Sequence, residues 1–373
     1  MSEPRRLPAG VRQWLARRLA RPARPAGKIR RRAVCLYKVD RLGDFVLALG
    51  ALHRLVDHFH AENCRLVVST AAEALAAAEF PGVPRWVLPP AAGGVWREMR
   101  PLRSRLGPEL AGEHFDRLVC LRHAPSLYRD VSLGWIEAQE FFGRESRPRP
   151  ATLTTTNRPA LPATGPVTAP WSSELLAHRD VLAAVLGRTP DWSELRPRLR
   201  SMAAGNGEEV VFCPFGHESI RDYPRESWRA AWRMLAAPVR CVRLLGPAAR
   251  SGDLAALGDD LRTELPGAAI TLQTDVAPLE FVAAIANARA VVTVDSAAAH
   301  LATAFDKPAV IVIGGGHFGW FGPWGEATRQ RWIAHQLPCF GCNWDCRFPT
   351  VRCLTELPPG AVGEALNTVI RHA

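Results

Sequence analysis

The sequence predicts an α/β protein made of two parallel-sheet domains. Three observations carry that reading. Short apolar runs alternate with helix-forming stretches along both halves of the chain, as strand–helix–strand units require. The clearest unit is Ala290–Gly316, AVVTVDSAAAHLATAFDKPAVIVIGGG. Between the halves, Arg147–Pro170 is rich in Pro and Thr and has no period, so it reads as a loop or linker.

A chain of 373 residues can form two domains with substantial cores, and 47% hydrophobic content is that of an ordinary globular protein. No apolar run approaches membrane-spanning length. The net charge is +11, but residues 1–32 hold ten Arg and one Lys against Glu3 alone. The remainder is close to neutral, so the basic balance belongs to a tail and no nucleic-acid partner is expected for the body. The tail lacks a continuous apolar core and a small-residue cleavage site, so it is not a secretory signal. Val11, Trp14, Leu15 and Leu19 share one helical face with Arg12, Arg17 and Arg18 around it. That pattern fits a membrane-surface helix or a solvated arm.

The elements follow in order. AVCLYKV, Ala33–Val39, reads as a strand, Asp40–Asp44 as a turn and Phe45–Phe59 as an amphipathic helix. Strand Arg65–Ser69, an Ala-rich helix from Ala71, a helix over Val95–Leu106 and strand Arg117–Leu121 continue the first domain. After the linker, Glu174–Leu186 is helical, and the polar, irregular Trp192–Asn206 makes a hinge. The second domain runs strand Val210–Cys213, helix Arg225–Leu235, strand Val239–Leu245, helix Leu279–Ala288, then Ala290–Gly316. A helix near Val362–Ile370 closes the chain. The expected division is a tail (1–32), a first domain (33–195), a second domain (205–358) and a terminal helix (359–373).

Candidate chemistry sits where strands meet helices, because free N–H groups and the helix dipole there suit a phosphate. Asp44, in the first turn after the first strand, is either a dipole-stabilising acid or a general base. CPFGHESIRDYP, Cys213–Pro224, makes a good anion loop, in which Arg221 can donate in a fork to phosphate oxygens. Ser296 is expected to cap the helix that opens at Asp295, with His300 one turn further on.

These stretches resemble a known family. RLGDFVLALGAL, Arg41–Leu52, is similar to the first signature of glycosyltransferase family 9, the ADP-heptose heptosyltransferases of bacterial lipopolysaccharide synthesis. DSAAAHLATAFDKPAVIVIG, Asp295–Gly314, is similar to the second, and PFGHESIRDYPRESW, Pro214–Trp228, resembles the intervening donor loop. The resemblance spans roughly Ala33 to Leu354. It implies a GT-B fold, two Rossmann-like domains facing across a cleft, with the acceptor on the amino half and the nucleotide sugar on the carboxyl half. It also implies inverting transfer with no metal at the active centre. The catalytic Asp falls on Asp44. The donor-binding positions fall on Arg221, where the family has Lys, and on Asp295, Ser296, Ala297 and His300. Ala297 replaces the usual Gly, which leaves the exact nucleotide sugar open. The implied partners are ADP-heptose and a glycan or lipid-linked acceptor, in the cytoplasm, with residues 1–32 on the inner face of the membrane.

Four of nine cysteines, Cys339, Cys342, Cys346 and Cys353, cluster in a turn-rich segment. With no secretion signal, disulfides are not expected. Four thiolates at this spacing suit one structural zinc or iron; the plain reading is reduced loop thiols. The resemblance adds that related autotransporter heptosyltransferases bind iron through such a cluster.

Two other functions fit the residues less well. One is transfer of another sugar, or transfer to protein. The other is a sugar-nucleotide binding protein without turnover, which would not need Asp44. No GxGxxG follows the first strand, which disfavours a dehydrogenase.

Overall fold

The computed structural model describes residues 29–89, 109–110, 112–122, 126–143, 164–167 and 173–373. The expected helix at 95–106, most of the basic tail and most of the linker lie outside these residues. The described residues form two compact units. One holds those up to 157 together with Ala177–Leu195; the other holds those of 158–176 together with Arg196–Ala373. The described residues of 158–176, assigned from the sequence to the first domain, thus cluster with the second unit.

The first unit contains β1 (Arg30–Lys38), α1 (Leu42–Phe59), β2 (Cys64–Ser69), α2 (Glu73–Glu79), β3 (Arg85–Leu88), β4 (Glu113–Cys120), α3 (Leu127–Leu133) and β5 (Glu137–Phe142). Its sheet runs β3-β2-β1-β4-β5, all parallel. Parallel strands are covered on both faces, which is why Val34–Tyr37 and Leu66–Val68 are apolar without alternation and fully buried. β1 starts earlier than the sequence suggested. Arg30, Arg31 and Arg32 pair with Glu113, His114 and Phe115 of β4, and Glu113 takes both Arg32, at 3.0 Å, and Arg65. A buried carboxylate shared by two arginines lets the end of the basic run enter a strand.

The helix α4 (Ser173–Leu186) and the short α5 (Trp192–Leu195) follow. The second unit then runs β7 (Val210–Cys213), α6 (Arg225–Arg233), β8 (Cys241–Gly246), α7 (Ser251–Glu264), β9 (Ala269–Thr274) and α8 (Pro278–Asn287). It continues with β10 (Ala290–Val294), α9 (Ala297–Ala304), β11 (Ala309–Val312), β12 (Gln330–His335), α10 (Arg352–Thr355) and α11 (Pro359–Arg371). Its sheet order is β6-β12-β11-β10-β7-β8-β9. All pairs are parallel except that of β6 (Thr164–Val167) with β12. The strand β6 corrects the linker reading, which placed no element there. β6 takes the backbone partners on the outer side of β12, and as the edge strand it tolerates Pro166.

The apolar spacing of α6 sets its packing. Trp228, Ala231 and Trp232 lie at i, i+3 and i+4, and the two indoles pack on Phe212 of β7 at 4.9 and 5.4 Å. The terminal helix α11 is not a separate piece. Val362, Leu366, Val369 and Ile370 are buried in the same core as β7, β10 and β11.

Both sheets share one topological feature. The chain reverses direction of travel across the sheet between β1 and β4 in one unit, and between β7 and β10 in the other. In open α/β sheets, ligands bind at the carboxyl ends of strands at such switch points.

Candidate active site

In the first unit, the switch point is crowded with charge. Lys38, fully buried at the end of β1, donates to the Leu121 carbonyl at 3.1 Å and pairs with Asp40 Oδ2 at 3.1 Å. Arg122, just beyond β4, donates to the Val39 carbonyl at 2.5 Å and lies 3.3 Å from the other Asp40 oxygen. Burial works against the charge of Arg122, but anionic neighbours, Asp40 foremost and Asp44 among them, hold its pKa above the usual guanidinium value. Asp44 lies half-buried in the first turn of α1, whose N-terminus has no side-chain cap. An acidic residue in that first turn suits the positive end of the helix dipole. The sequence pointed to Asp44 but missed its neighbours Lys38, Asp40 and Arg122. One signal was available: Lys38 is the one charged residue in the apolar run AVCLYKV.

In the second unit, Asp295 follows β10 and is 3% exposed. Burial alone would raise its pKa. The hydrogen bond from His317 Nδ1 at 2.8 Å, the His317 charge and that of Arg221 outweigh burial and hold the carboxyl below its usual range. Ser296 is the N-cap of α9: its hydroxyl accepts from the Ala298 N–H at 3.2 Å and shares a hydrogen bond with Thr293 Oγ1 at 3.0 Å. Ala297 opens the helix and is partly exposed. His300 is 4% exposed, and its Nδ1 accepts the Trp324 indole N–H at 3.1 Å. Burial pulls its pKa down to about 4, so at neutral pH it is the uncharged tautomer with hydrogen on Nε2.

Arg221 lies on the turn Ser219–Arg221 in the loop after β7. Asp222 braces that loop, accepting the Gly216 N–H at 2.9 Å and Arg250 Nη1 at 2.7 Å. Gly216 is required by close approach, since a Cβ there would meet Arg221 Cβ at 2.9 Å. The structure therefore brings Arg221, Asp295, Ser296, Ala297 and His300 to one end of one sheet. It adds His317, Trp324 and Arg250, of which only His317, directly after Gly314–Gly316, had a positional signal.

The cysteine-rich segment lies against the same end. The N–H groups of Gly341 and Asn343 bond to the carbonyls of Gly315 and Gly316 at 2.8 and 3.1 Å. Trp344 covers these glycines, and a Cβ on Gly314 would meet its ring at 2.6 Å. The Gly315 N–H points to Cys353 Sγ at 3.3 Å. Among the described residues, no group of three or more His, Cys, Asp or Glu is disposed to hold a metal ion. Cys339, Cys342, Cys346 and Cys353 are free thiols near enough to influence one another, and burial foremost raises the pKa of Cys342 and Cys353. As placed they do not fit the closed thiolate shell that the spacing suggested. Cys353 is engaged with backbone, its Sγ facing the Gly315 N–H.

Residues 187–346 match the family model described as glycosyltransferase family 9 (heptosyltransferase). The likeness to that family covers this segment, less than half of the chain. The match includes the loop Pro214–Trp228 and Asp295–Gly314, and begins after Arg41–Leu52. No curated protein matches the chain. Among solved structures, the E. coli heptosyltransferase WaaC with ADP superposes with TM-score 0.61 at 20% identity, over 91% of this chain and 100% of that one. The E. coli ADP-heptose lipopolysaccharide heptosyltransferase II gives 0.58 at 15%, over 91% and 99%. A family 9 glycosyltransferase from Veillonella parvula gives 0.60 at 13%, over 94% and 100%. The fold is thus the GT-B fold of the heptosyltransferases, and the domain match indicates a glycosyltransferase.

Proposed function

We propose that this chain is an inverting glycosyltransferase that moves heptose from ADP-heptose to a glycan or lipid-linked acceptor of the lipopolysaccharide type. Asp44 accepts the proton of the acceptor hydroxyl as its oxygen attacks the anomeric carbon. The bond from that carbon to the diphosphate breaks, and ADP leaves with the electron pair. Arg221, the N-terminal amides of α9 and the Ser296 turn hold the diphosphate as charge builds on it. His300, neutral at pH 7, offers its Nε2–H as a donor without adding charge. The observation that carries this reading is the buried Asp295–His317 pair beside Arg221 at the β7/β10 switch point, inside the segment that matches the family. Solved relatives described with ADP and with an ADP-heptose analogue support the choice of donor.

Ala297 favours a second reading, transfer of a different nucleotide sugar or transfer to protein. Its methyl group narrows the backbone approach where the family pattern has Gly. The test is release of nucleoside diphosphate from a panel of nucleotide sugars by the purified full chain, with and without lipopolysaccharide-core acceptors. Turnover of ADP-heptose alone among the donors supports the first reading, and preference for another donor supports the second. With no donor bound or turned over, both fall.

Among the described residues, no helix is long and apolar enough to cross a membrane. We place the protein in the cytoplasm, with the basic tail ahead of β1 on the inner membrane surface, on the strength of the charge and apolar face of that tail; Arg30–Arg32, counted with the tail from the sequence, belong to β1 instead. A metal at the four cysteines remains a proposal drawn from spacing and would require the loop to rearrange.

A further inference from the structure

We propose that Trp344, in the cysteine-rich loop, is a donor-binding residue whose indole N–H takes an oxygen of the nucleotide diphosphate together with Arg221. This rests on the reading of the second unit as the donor site. Two unpaired donors carry it. Among the described residues, Arg221 Nε and Trp344 Nε1 are both buried side-chain nitrogens with no hydrogen-bond partner. Burying such donors without a partner is costly, so their presence in a built site needs an explanation.

The two groups are neighbours. The Arg221 guanidinium carbon lies 6.0 Å from the Trp344 ring centroid. The other side of the ring is fixed: His317 packs edge-on at 5.4 Å while bonded to Asp295, and the loop backbone is pinned to Gly315 and Gly316. Asn343 and Trp344 both adopt left-handed backbone, with φ of 52° and 62°. That conformation is costly for non-glycine residues and is held here by those contacts. The loop therefore spends stability to keep one indole against the glycine turn and the anion loop.

Trp228 and Trp232 also leave their indole N–H unpaired. Their rings are packed in the apolar core around Phe212. Trp344 differs because its neighbour is a cation whose Nε also lacks a partner, its one ion pair being a 3.4 Å contact to Glu218. A diphosphate has oxygens for both donors, and charge-assisted hydrogen bonds to it are the strong kind. An uncharged ligand would satisfy the indole but leave the Arg221 charge unmatched.

Inorganic pyrophosphate, ADP and adenosine titrated calorimetrically into the full chain and two variants test this. Trp344→Phe keeps an aromatic ring on the glycines while removing the pyrrole ring with its N–H, and Arg221→Ala is the control. The expected result is pyrophosphate and ADP binding weakened about 10- to 100-fold by Trp344→Phe, the range for a hydrogen bond to a charged group, with adenosine binding unchanged. Pyrophosphate binding weakened by Arg221→Ala but not by Trp344→Phe overturns the role of Trp344 and leaves the donor site standing. Binding unchanged in both variants, or none in the wild type, overturns the donor site and this inference with it. In ¹⁵N-indole-labelled wild type, the Nε1–H resonance missing from Trp344→Phe should shift on adding pyrophosphate. This readout needs no variant to bind ligand, and an unmoved resonance overturns the proposal.

Discussion

Lowering the pH from 6.5 to 4 should destabilise the second unit through His300, and the size of the effect follows from its burial. The folded pKa is about 4, chiefly because burial penalises the charged ring. An unfolded histidine titrates near 6.5. Between these values the unfolded chain binds a proton that the folded chain does not. The contribution is therefore fully present above the unfolded pKa and is lost as pH falls toward the folded one. At about 1.4 kcal/mol per pKa unit, the loss is about 3 kcal/mol. For a unit of this size that lowers Tm by roughly 6–12 °C. Geometry gives the same sign, since protonating Nδ1 would set it against the Trp324 N–H that it now accepts. The assay is calorimetric Tm at half-unit steps from pH 7.5 to 4 for the wild type and His300→Gln. Glutamine can still accept from Trp324 through its carbonyl but does not titrate. Carboxylates contribute to the acid slope of both proteins, so the difference between slopes isolates His300. Parallel curves would refute the reasoning.

Three further outcomes are expected. Asp44→Asn should leave Tm and ADP affinity unchanged while cutting transfer by about 10²–10⁴; near-normal turnover ends its assignment as base. A chain starting at Ile29, which keeps all of β1, should fold and turn over soluble acceptor but lose binding to anionic vesicles, whereas equal vesicle binding removes the membrane role of the tail. If the four cysteines hold a structural metal, protein purified without added metal should contain about one zinc or iron per chain, and Cys342→Ser should lose the metal and lower Tm. Metal-free protein with all four thiols titratable returns them to loop cysteines.

The order of strands and helices was legible where burial dictates composition. β1, β7, β10 and β11 are central strands, covered on both faces, and only apolar runs can occupy them. The edges were not legible. β5, EAQEFF, and β9, AITLQT, are largely exposed along their length, so their residues answer to solvent and resemble loop. β6 was hidden for a different reason: it exists through the backbone of β12. Site residues divided the same way. Asp44, Arg221, Asp295 and Ser296 stand at strand–helix turns, where local sequence and function coincide. Lys38, Arg122, His317 and Trp344 matter through partners up to about a hundred residues away, and no local pattern encodes those distances.

The two switch points also differ in how charge is balanced, and the difference bears on what each can bind. At the β1/β4 end, Lys38 and Arg122 are both drawn onto Asp40, with Val39 and Leu121 carbonyls taking further N–H groups. The cations are internally matched by Asp40, so this end is not prepared for an anion. At the β7/β10 end the carboxylate of Asp295 is matched by His317, while Arg221 has only a 3.4 Å contact to the half-exposed Glu218. An exposed ion pair of that kind contributes little, so most of the attraction of the Arg221 charge is available to an incoming phosphate. One topology, used twice, therefore supplies two different ends: one whose cations are matched within the protein and one that leaves much of the Arg221 charge available to an anion.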